Sequence, residues 1–207
     1  MIAIVDYGVG NLFSLSSSLQ ALGLASEITG DVARLKAADQ VILPGVGAFG
    51  DALEKLQATG LDVVLKDLAA TGKPLLGICL GMQLLFDSSE EFGNHQGLGL
   101  IPGRIVSMKE SFDKEGIQLK VPHIGWNPIR IKQENPLLKY VNDQDQFYYV
   151  HSFYATDCEE NLVATSDYGV EITGIVAKDN VYGTQFHPEK SGKVGLALLR
   201  AFGEVRA

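Results

Sequence analysis

The sequence predicts an α/β fold with a mostly parallel central sheet flanked by helices and a strand-rich, antiparallel second half. Two observations predict this class. Up to about Gly103, short apolar runs alternate with amphipathic helical patterns, which is typical of strand-helix-strand units. Beyond Gly103, closely spaced runs rich in Val, Ile, Thr, Tyr and Phe indicate antiparallel strands. No Pro- or Ser-rich linker separates the halves, so residues 1–207 are expected to form one domain.

In the first half, apolar runs predict buried strands and amphipathic patterns predict the helices between them. The predicted strands are Ile2–Val5, Ala25–Ile28, Gln40–Leu43 and Pro74–Ile78. The predicted helices are Leu12–Leu22, Arg34–Ala37, Asp51–Gln57, Leu61–Ala70 and Leu80–Phe86. A polar turn is expected at Ser88–Glu91 and a Gly-rich loop at Gly93–Gly103.

In the second half, seven short runs predict strands, and one amphipathic segment predicts a closing helix. The predicted strands are Arg104–Met108, Gln118–Val121, Asn127–Ile131, Gln146–Ala155, Leu162–Ser166, Ile172–Ala177 and Val181–Phe186. The predicted helix is Gly192–Val205.

The composition is that of an ordinary soluble globule, with 46% hydrophobic and 20% charged residues. A net charge of −8 argues against nucleic-acid binding, which needs a clustered basic face. The N-terminal apolar run lacks a basic segment and meets a carboxylate at Asp6, unlike a secretory signal, and no apolar run approaches membrane-spanning length. Cys79 and Cys158 give no disulfide framework, so a reducing compartment, the cytoplasm, is expected.

Cys79 lies where a predicted buried strand meets a predicted helix. Gly77 and Gly81 flank it and form Gly-x-Cys-x-Gly, the thiol counterpart of the Gly-x-Ser-x-Gly nucleophile elbow. At a helix start the dipole favours a thiolate, and the free N–H of Leu80 can bind an oxyanion. The alternative is an inert buried thiol, but that would not need the paired glycines.

A Gly-rich loop, Pro44 to Gly50, follows the third predicted strand. Gly45, Gly47 and Gly50 match Gly-x-Gly-x-x-Gly, which also permits a dinucleotide-binding interpretation. That fingerprint belongs to the first strand-helix unit, however, and no acidic residue ends a following strand about 20 residues later. We expect instead that the loop faces Cys79 and offers a second backbone N–H.

A nucleophilic cysteine needs a base, and the base needs an orienting group. His187 ends a predicted strand and precedes Pro188, which favours extended backbone, so Glu189 should point the same way and hold the imidazole. Cys79, His187 and Glu189 then form a candidate triad. A metal site at His187 and Glu189 is the alternative, but no further ligands at zinc-like spacing accompany them. The remaining histidines are expected to be structural: His95, His123 and His151.

Two motifs together resemble the class I (triad) glutamine amidotransferases: Gly-Ile-Cys-Leu-Gly-Met-Gln at Gly77–Gln83 and Gln-Phe-His-Pro-Glu at Gln185–Glu189. The resemblance implies a flavodoxin-like fold. Within this family, four further segments resemble the glutaminase subunits of imidazole glycerol phosphate synthases of histidine biosynthesis, and the similarity runs end to end. These segments are Pro44–Phe49, Gly97–Leu100, Pro122–Asn127 and Tyr149–Ser152.

The resemblance implies a mechanism. Cys79 would attack the side-chain amide of glutamine, and the oxyanion would lie between the N–H of Leu80 and one from Val46 or Gly47. His187, held by Glu189, would protonate the departing ammonia and then activate water to hydrolyse the thioester. No cofactor and no metal are implied.

The resemblance also implies binding residues and a partner. The glutamine-binding residues would be Gly47, Gln83, Glu91, Ser152 and Phe153. A separate (β/α)8 cyclase subunit, forming a heterodimer with this chain, would receive the ammonia. The residues expected at that interface are Asn11, Trp126, Tyr148 and Lys190.

Three alternatives remain open from the sequence. Another triad glutaminase of similar length, such as the subunit that serves pyridoxal phosphate synthesis, would share the triad. A cysteine peptidase or stress-protein hydrolase could share the elbow but need not carry Gln-Phe-His-Pro-Glu. A binding or regulatory subunit could keep the fold without catalysis.

Overall fold

The computed structural model describes residues 1–206. The helices are α1 (Leu12–Ala21), α2 (Val32–Ala37), α3 (Phe49–Ala58), α4 (Leu61–Ala70), α5 (Leu80–Leu84), α6 (Met108–Glu115) and α7 (Gly192–Glu204). The first strands are β1 (Ile2–Val5), β2 (Ser26–Thr29), β3 (Gln40–Gly45), β4 (Leu75–Cys79), β5 (Phe86–Ser89), β6 (His95–Gln96) and β7 (Ile101–Ser107). The later strands are β8 (His123–Pro128), β9 (Arg130–Ile131), β10 (Gln146–His151), β11 (Phe153–Thr156), β12 (Leu162–Tyr168), β13 (Val170–Lys178) and β14 (Val181–Thr184). Short 3-10 helices occupy Pro136–Leu138, Glu159–Asn161 and Pro188–Lys190.

The central sheet has eight strands in the order β2-β1-β3-β4-β14-β13-β12-β9. The first five are parallel, and β13, β12 and β9 continue the sheet with antiparallel pairing. Because β3, β4 and β14 are parallel neighbours, their carboxyl ends meet at one edge, where ligands bind in open α/β sheets. The predicted fold class, parallel first and strand-rich second, is confirmed.

The sheet is covered on both faces, as the apolar runs of its strands require. Successive side chains of β1 alternate between two cores: Ala3 and Val5 join one, and Ile2 and Ile4 join the other. Helices α3 and α4 cover the first face, while α1 and α7 cover the second. Because helices pack on both faces of the sheet, the carboxyl ends of its strands, where the site lies, are held in place.

Two smaller sheets are built from the second half. A four-stranded sheet has the order β11-β7-β5-β6, and β8 and β10 form a separate antiparallel ribbon. The ribbon pairs His123 with His151 at one end and Trp126 with Tyr148 nearer the other. It packs beside the carboxyl end of β14, so it borders the site described below.

In the second half, one predicted strand is absent and one helix was not predicted. Residues Gln118–Val121 form no strand, because no neighbouring strand pairs with them and Pro122 follows directly. Helix Met108–Glu115 was not predicted. The Ser107 side chain accepts the N–H of Glu110 at its start, and Gly116 ends it in a left-handed conformation.

The segment after the elbow also differs from its prediction. Helix α5 ends at Leu84 instead of Phe86, and Phe86–Ser89 forms a strand where a polar turn was expected at Ser88–Glu91. The cause is tertiary pairing: β5 lies between β6 and β7, with Ser89 opposite Ile105. Within residues 1–206, no helix is long and apolar enough to span a membrane.

Candidate active site

Cys79 is the last residue of β4 and directly precedes α5. Its backbone has φ 54° and ψ −112°, a strained conformation for a residue with a side chain. The flanking glycines are required by packing: a Cβ at Gly77 would lie 2.6 Å from the carbonyl oxygen of Gly81, and one at Gly81 would overlap the carbonyl oxygen of Leu43. The predicted strand-to-helix elbow is therefore present, with its cysteine held away from ordinary strand geometry.

The Gly-rich loop after β3 lies beside the elbow. Parallel pairing sets Gly45 opposite Cys79, and the Tyr7 hydroxyl donates to the carbonyl oxygen of Pro44 at 2.8 Å, which fixes the start of the loop. Val46 and Gly47 then line the same cavity as Cys79. The loop is thus brought to the cysteine as the sequence predicted.

His187 and Glu189 follow β14 and face the elbow. His187 Nδ1 lies 2.8 Å from Glu189 Oε1, and Asn11 Nδ2 donates to the same oxygen at 3.5 Å. The second carboxylate oxygen, Oε2, is buried and has no donor among residues 1–206. The backbone of His187 is also fixed, because its N–H donates to Tyr148 O at 2.9 Å and its carbonyl accepts from Ser191 Oγ at 2.6 Å.

Opposing effects set the protonation of His187. Burial lowers its pKa, but hydrogen bonds and charge interactions with Cys79 and Glu189 outweigh burial and raise the pKa to about 9. His187 is therefore an imidazolium at neutral pH.

A cavity of about 390 Å³ opens above the cysteine, a size suited to a small polar metabolite. It brings together the elbow, the Gly-rich loop, the base and the corner between β10 and β11. The lining residues are Val46, Gly47, Cys79, Leu80, Gln83, Glu91, Pro122, Val150, His151, Ser152, Phe153, His187 and Lys190. This set contains every residue that the sequence predicted for glutamine binding and for the oxyanion.

Two predicted binding residues have defined surroundings in this cavity. Gln83 Nε2 donates to Phe153 O and to Gln185 Oε1, both at 3.0 Å. Glu91 accepts the N–H of Phe49 at 2.7 Å, and partial burial raises the pKa of its carboxyl despite that bond. The cavity thus offers one carboxylate and one oriented carboxamide.

The corner that carries Ser152 and Phe153 is fixed by two buried histidines. His151 Nδ1 lies 2.8 Å from Phe153 O, which can only accept, so His151 Nδ1 carries the proton. His151 Nε2 then accepts from His123 Nδ1 at 3.0 Å, and His123 Nε2 faces Asn127 Nδ2 at 3.4 Å. Burial lowers the pKa of His123 to about 4 and of His151 to about 3, so both are neutral and structural at neutral pH.

The four residues expected at a partner interface lie next to the triad or on the ribbon beside it. Trp126 is 54% exposed and packs edge-on against Tyr148 on the β8–β10 ribbon. Asn11 contacts Glu189, and Lys190 lines the cavity. Trp126 therefore presents an exposed aromatic surface. Asn11 and Lys190 lie next to the triad, as does half-buried Tyr148, whose carbonyl oxygen accepts the N–H of His187.

Some residues at this site were not predicted as functional, among them three that lie near Cys79 or line the cavity. Gln185 Nε2 lies 3.8 Å from Cys79 Sγ, the carbonyl oxygen of Val150 lies 3.9 Å from it, and His151 lines the cavity. For Gln185 a local signal existed, since it stands two residues before His187 in the Gln-Phe-His-Pro-Glu motif. Val150 and His151 become neighbours of the elbow only through the tertiary fold.

A family model described as glutamine amidotransferase class-I matches residues 3–203. The chain therefore belongs to the class I glutamine amidotransferases, as the elbow, the base and the fold indicate.

Curated relatives identify the family within this class to which the chain belongs. Imidazole glycerol phosphate synthase subunit HisH of Listeria monocytogenes serotype 4a (strain HCC23) is 49% identical over 205 residues, covering 99% of this chain and 96% of the relative. Subunit HisH of Bacillus subtilis (strain 168) is 49% identical over 208 residues, covering 100% and 97%. Within its class, the chain belongs to the family of these HisH subunits.

The fold is shared more widely. The structure of PurLQS from Thermotoga maritima superimposes with a TM-score of 0.74 at 18% sequence identity, covering 97% of this chain and 96% of that one. At such low identity the likeness concerns the fold alone.

Proposed function

We propose that this chain is the glutaminase subunit of an imidazole glycerol phosphate synthase, hydrolysing glutamine to glutamate and ammonia for histidine biosynthesis. The observation that carries the proposal is the strained Cys79 at the floor of a cavity, beside a His187 that Glu189 holds at 2.8 Å. The identity to HisH subunits over the whole chain supports this choice over other triad glutaminases and over peptidases.

The first half-reaction forms a thioester and releases ammonia. The Cys79 thiolate attacks the side-chain carbonyl carbon of glutamine, and the negative charge moves to the carbonyl oxygen. Backbone N–H groups of Leu80 and of Val46 or Gly47 receive that oxyanion. The His187 imidazolium gives its proton to the amide nitrogen, the C–N bond breaks, and ammonia leaves.

The second half-reaction regenerates the enzyme. Neutral His187 takes a proton from water, and the resulting hydroxide attacks the thioester carbon. The C–S bond breaks, glutamate leaves, and Cys79 returns as a thiolate beside the imidazolium. Glu189 keeps the same imidazole nitrogen directed at the reaction in both steps.

Recognition of glutamine requires partners for a zwitterion. The Glu91 carboxylate would pair with the ammonium group, and the backbone N–H groups of Ser152 and Phe153 would bind the carboxylate. Both lone pairs of Phe153 O are already used by Gln83 and His151, so Phe153 contributes its N–H. Gly47 lies on the other side of the cavity, within the oxyanion loop.

The released ammonia must react at a second site, and the proposal places that site on a (β/α)8 cyclase subunit that forms a heterodimer with this chain. Exposed Trp126, with half-buried Tyr148 packed against it, suits such an interface, because interfaces are enriched in Trp and Tyr. Asn11 and Lys190, which lie beside the triad, would be the nearest contacts between partner and active site. We assign the complex to the cytoplasm, where unpaired thiols persist.

The test is glutamate release by the purified chain alone, with the cyclase subunit, and with the cyclase subunit loaded with its nucleotide substrate. We expect low turnover alone, strong stimulation by the loaded partner, and no turnover in Cys79→Ala. Stimulation by a different synthase, with none by the cyclase, would assign the chain to another pathway. Equal turnover with and without partner would exclude control by the partner.

Such control would act through the Gly45–Gly47 loop. Gly47 has φ +95°, a conformation that glycine adopts freely, so the preceding peptide can change orientation at little conformational cost to this residue. Rotation would turn an N–H towards the oxyanion only when the partner is loaded. Proline at this position cannot adopt that φ, so Gly47→Pro should abolish stimulation; preserved stimulation would exclude the peptide rotation.

A further inference from the structure

Gln185 is a fully buried carboxamide between the nucleophile and the glutamine-binding side chain. Its Oε1 accepts from Gln83 Nε2 at 3.0 Å, and its Nε2 donates to Cys79 Sγ at 3.8 Å. Its relative exposure is 0%. The mechanism above leaves this residue without a role.

The direction of these bonds follows from one backbone carbonyl. Phe153 O can only accept, so the group of Gln83 that faces it at 3.0 Å must be the NH₂. The same NH₂ also faces Gln185, which must therefore present its oxygen there. The NH₂ of Gln185 is then left to point at Cys79 Sγ. A flipped Gln185 would set two donors against each other.

The same chain of bonds fixes what Gln83 presents to the cavity. Both of its N–H groups are used, one by Phe153 O and one by Gln185, so its Oε1 is the free group. Gln83 lines the cavity with an acceptor, which suits an ammonium or amide N–H of the substrate. Loss of Gln185 would free one N–H and allow the carboxamide to rotate.

We infer that Gln185 is a donor to the Cys79 thiolate and a positioning residue for Gln83, so that one carboxamide links the nucleophile to glutamine recognition. A buried thiolate has few waters around it, and a neutral N–H stabilises it without adding charge. The backbone of Gln185 is held in turn, because its N–H donates to Gly174 O at 2.9 Å. The catalytic meaning of this assignment rests on the proposed glutaminase activity, but the bond to sulfur does not.

Two variants separate the two roles. Gln185→Leu removes both the donor to sulfur and the acceptor for Gln83. Gln185→Glu keeps an acceptor for Gln83 but sets a negative group against the sulfur. The matched control is Gln40→Leu. Gln40 is also a buried carboxamide, 3% exposed, and its Nε2 donates to Phe202 O and Val205 O at 2.8 Å. It lies at the start of β3, at the end of that strand away from Cys79.

The first readout is the pH at which alkylation of Cys79 by iodoacetamide is half-maximal, followed by peptide mass spectrometry. Buried Cys158 serves as the internal reference in the same samples, because burial raises its pKa to about 11. We expect the midpoint for Cys79 to rise by about one pH unit in Gln185→Leu and further in Gln185→Glu, and to stay unchanged in Gln40→Leu. Unchanged midpoints in both Gln185 variants would overturn the inference; if Gln185→Leu does not fold, Gln185→Glu decides.

The second readout is the KM for glutamine in the presence of the loaded cyclase subunit. We expect KM to rise by about tenfold in Gln185→Leu and by less than about threefold in Gln185→Glu. In Gln185→Glu the loss of activity should appear as a lower kcat instead. Equal KM values in both variants and the unmodified chain would show that Gln185 does not position Gln83. If the unmodified chain releases no glutamate, the proposed function fails, while the alkylation midpoints still decide whether Gln185 acts on Cys79.

Discussion

His187 Nδ1 and Glu189 Oε1 lie 2.8 Å apart, and both side chains are only 3% exposed. Glu189 lies two residues after His187, within the 3-10 turn Pro188–Lys190, and this turn brings the two side chains together. Burial by itself would make His187 a weak base, yet its contacts raise the pKa to about 9. The pair therefore controls the pH range in which the imidazolium can donate a proton.

Replacing Glu189 by Gln should shift the alkaline limit of activity. Glu189 favours the charged imidazolium, so its removal lowers the pKa of His187, and the proton needed by the leaving ammonia is lost at lower pH. We expect the alkaline limb of kcat, near pH 9 in the unmodified chain, to move towards neutral pH. The maximal rate should fall by about 100-fold. The measurement is the pH profile of glutamate release with the loaded cyclase subunit.

The control for this variant is Glu204→Gln, which neutralises an exposed glutamate that pairs with Lys139. Glu204→Gln should leave the pH of the alkaline limb of kcat unchanged. An unshifted limb in Glu189→Gln would mean that the limit arises from another group.

Replacing Glu91 by Gln should weaken glutamine binding. The carboxylate is the ionisable group of the cavity suited to an ammonium, so its loss should raise KM by about tenfold or more with a smaller effect on kcat. Because burial raises the pKa of Glu91, its carboxylate is protonated earlier as pH falls, and KM in the unmodified chain should rise on the acid side. Glu90→Gln is the matched control, since Glu90 is the exposed neighbour and pairs with Arg104. If neither Glu91→Gln nor Glu90→Gln changes the KM for glutamine, Glu91 does not bind the substrate.

Replacing Gly81 by Ala should disrupt the elbow. A Cβ there would overlap the carbonyl oxygen of Leu43, which belongs to a central strand and cannot move away alone. We expect the free energy of unfolding, measured in urea, to fall by about 3 kcal/mol or more. Gly60→Ala is the control, because Gly60 has φ +69° and open space, and should cost only about 1 kcal/mol. Similar losses at both positions would show that close packing does not define the elbow.

Much of the fold and the triad could be predicted because their signals are local. The elbow and the Gln-Phe-His-Pro-Glu motif each lie within one short segment. The contact between His187 and Glu189 was predicted from an extended backbone, but the structure forms it through the 3-10 turn Pro188–Lys190. The parallel sheet then explains why loops after β3, β4 and β14 meet.

Other parts depend on contacts distant in sequence and could not be predicted. His123 and His151 are 28 residues apart and become partners only through the β8–β10 register. Ser88 and Ser89 of strand β5 were predicted as part of a turn because their sequence is polar, but pairing with β6 and β7 overrides that local signal. Helix α6 had local capping signals at Ser107 and Gly116, which the sequence interpretation did not use.

Acid should destabilise the protein through the two buried histidines. The unfolded chain titrates them near pH 6.5, whereas burial lowers the folded-state pKa of His123 to about 4 and of His151 to about 3. Between these values the unfolded state binds more protons, so the free energy of unfolding decreases as pH falls from 6.5 to 5. His187 does not offset this loss, because its raised pKa keeps it protonated in both states below pH 6.5 and its contribution disappears only as pH rises through 9.

Urea unfolding at several pH values measures this effect, and His123→Phe tests its origin. Phenylalanine keeps a ring between Tyr149 and Tyr168, which stack on His123, but cannot titrate. The slope of unfolding free energy between pH 6.5 and 5 should be about half that of the unmodified chain. An unchanged slope would assign the acid sensitivity to other groups.

Replacing Trp126 by Ala should weaken partner binding and leave the isolated chain intact. Trp126 is 54% exposed, and its only aromatic contact among residues 1–206 is the edge of Tyr148, so the folded chain loses little. An interface formed there would bury the indole, and removing it should lower affinity for the cyclase subunit by about 30-fold, or about 2 kcal/mol. Calorimetric titration measures the affinity. Val63→Ala, which shortens an exposed side chain on α4, should change it less than about twofold, and equal effects of the two variants would exclude this ribbon as the interface.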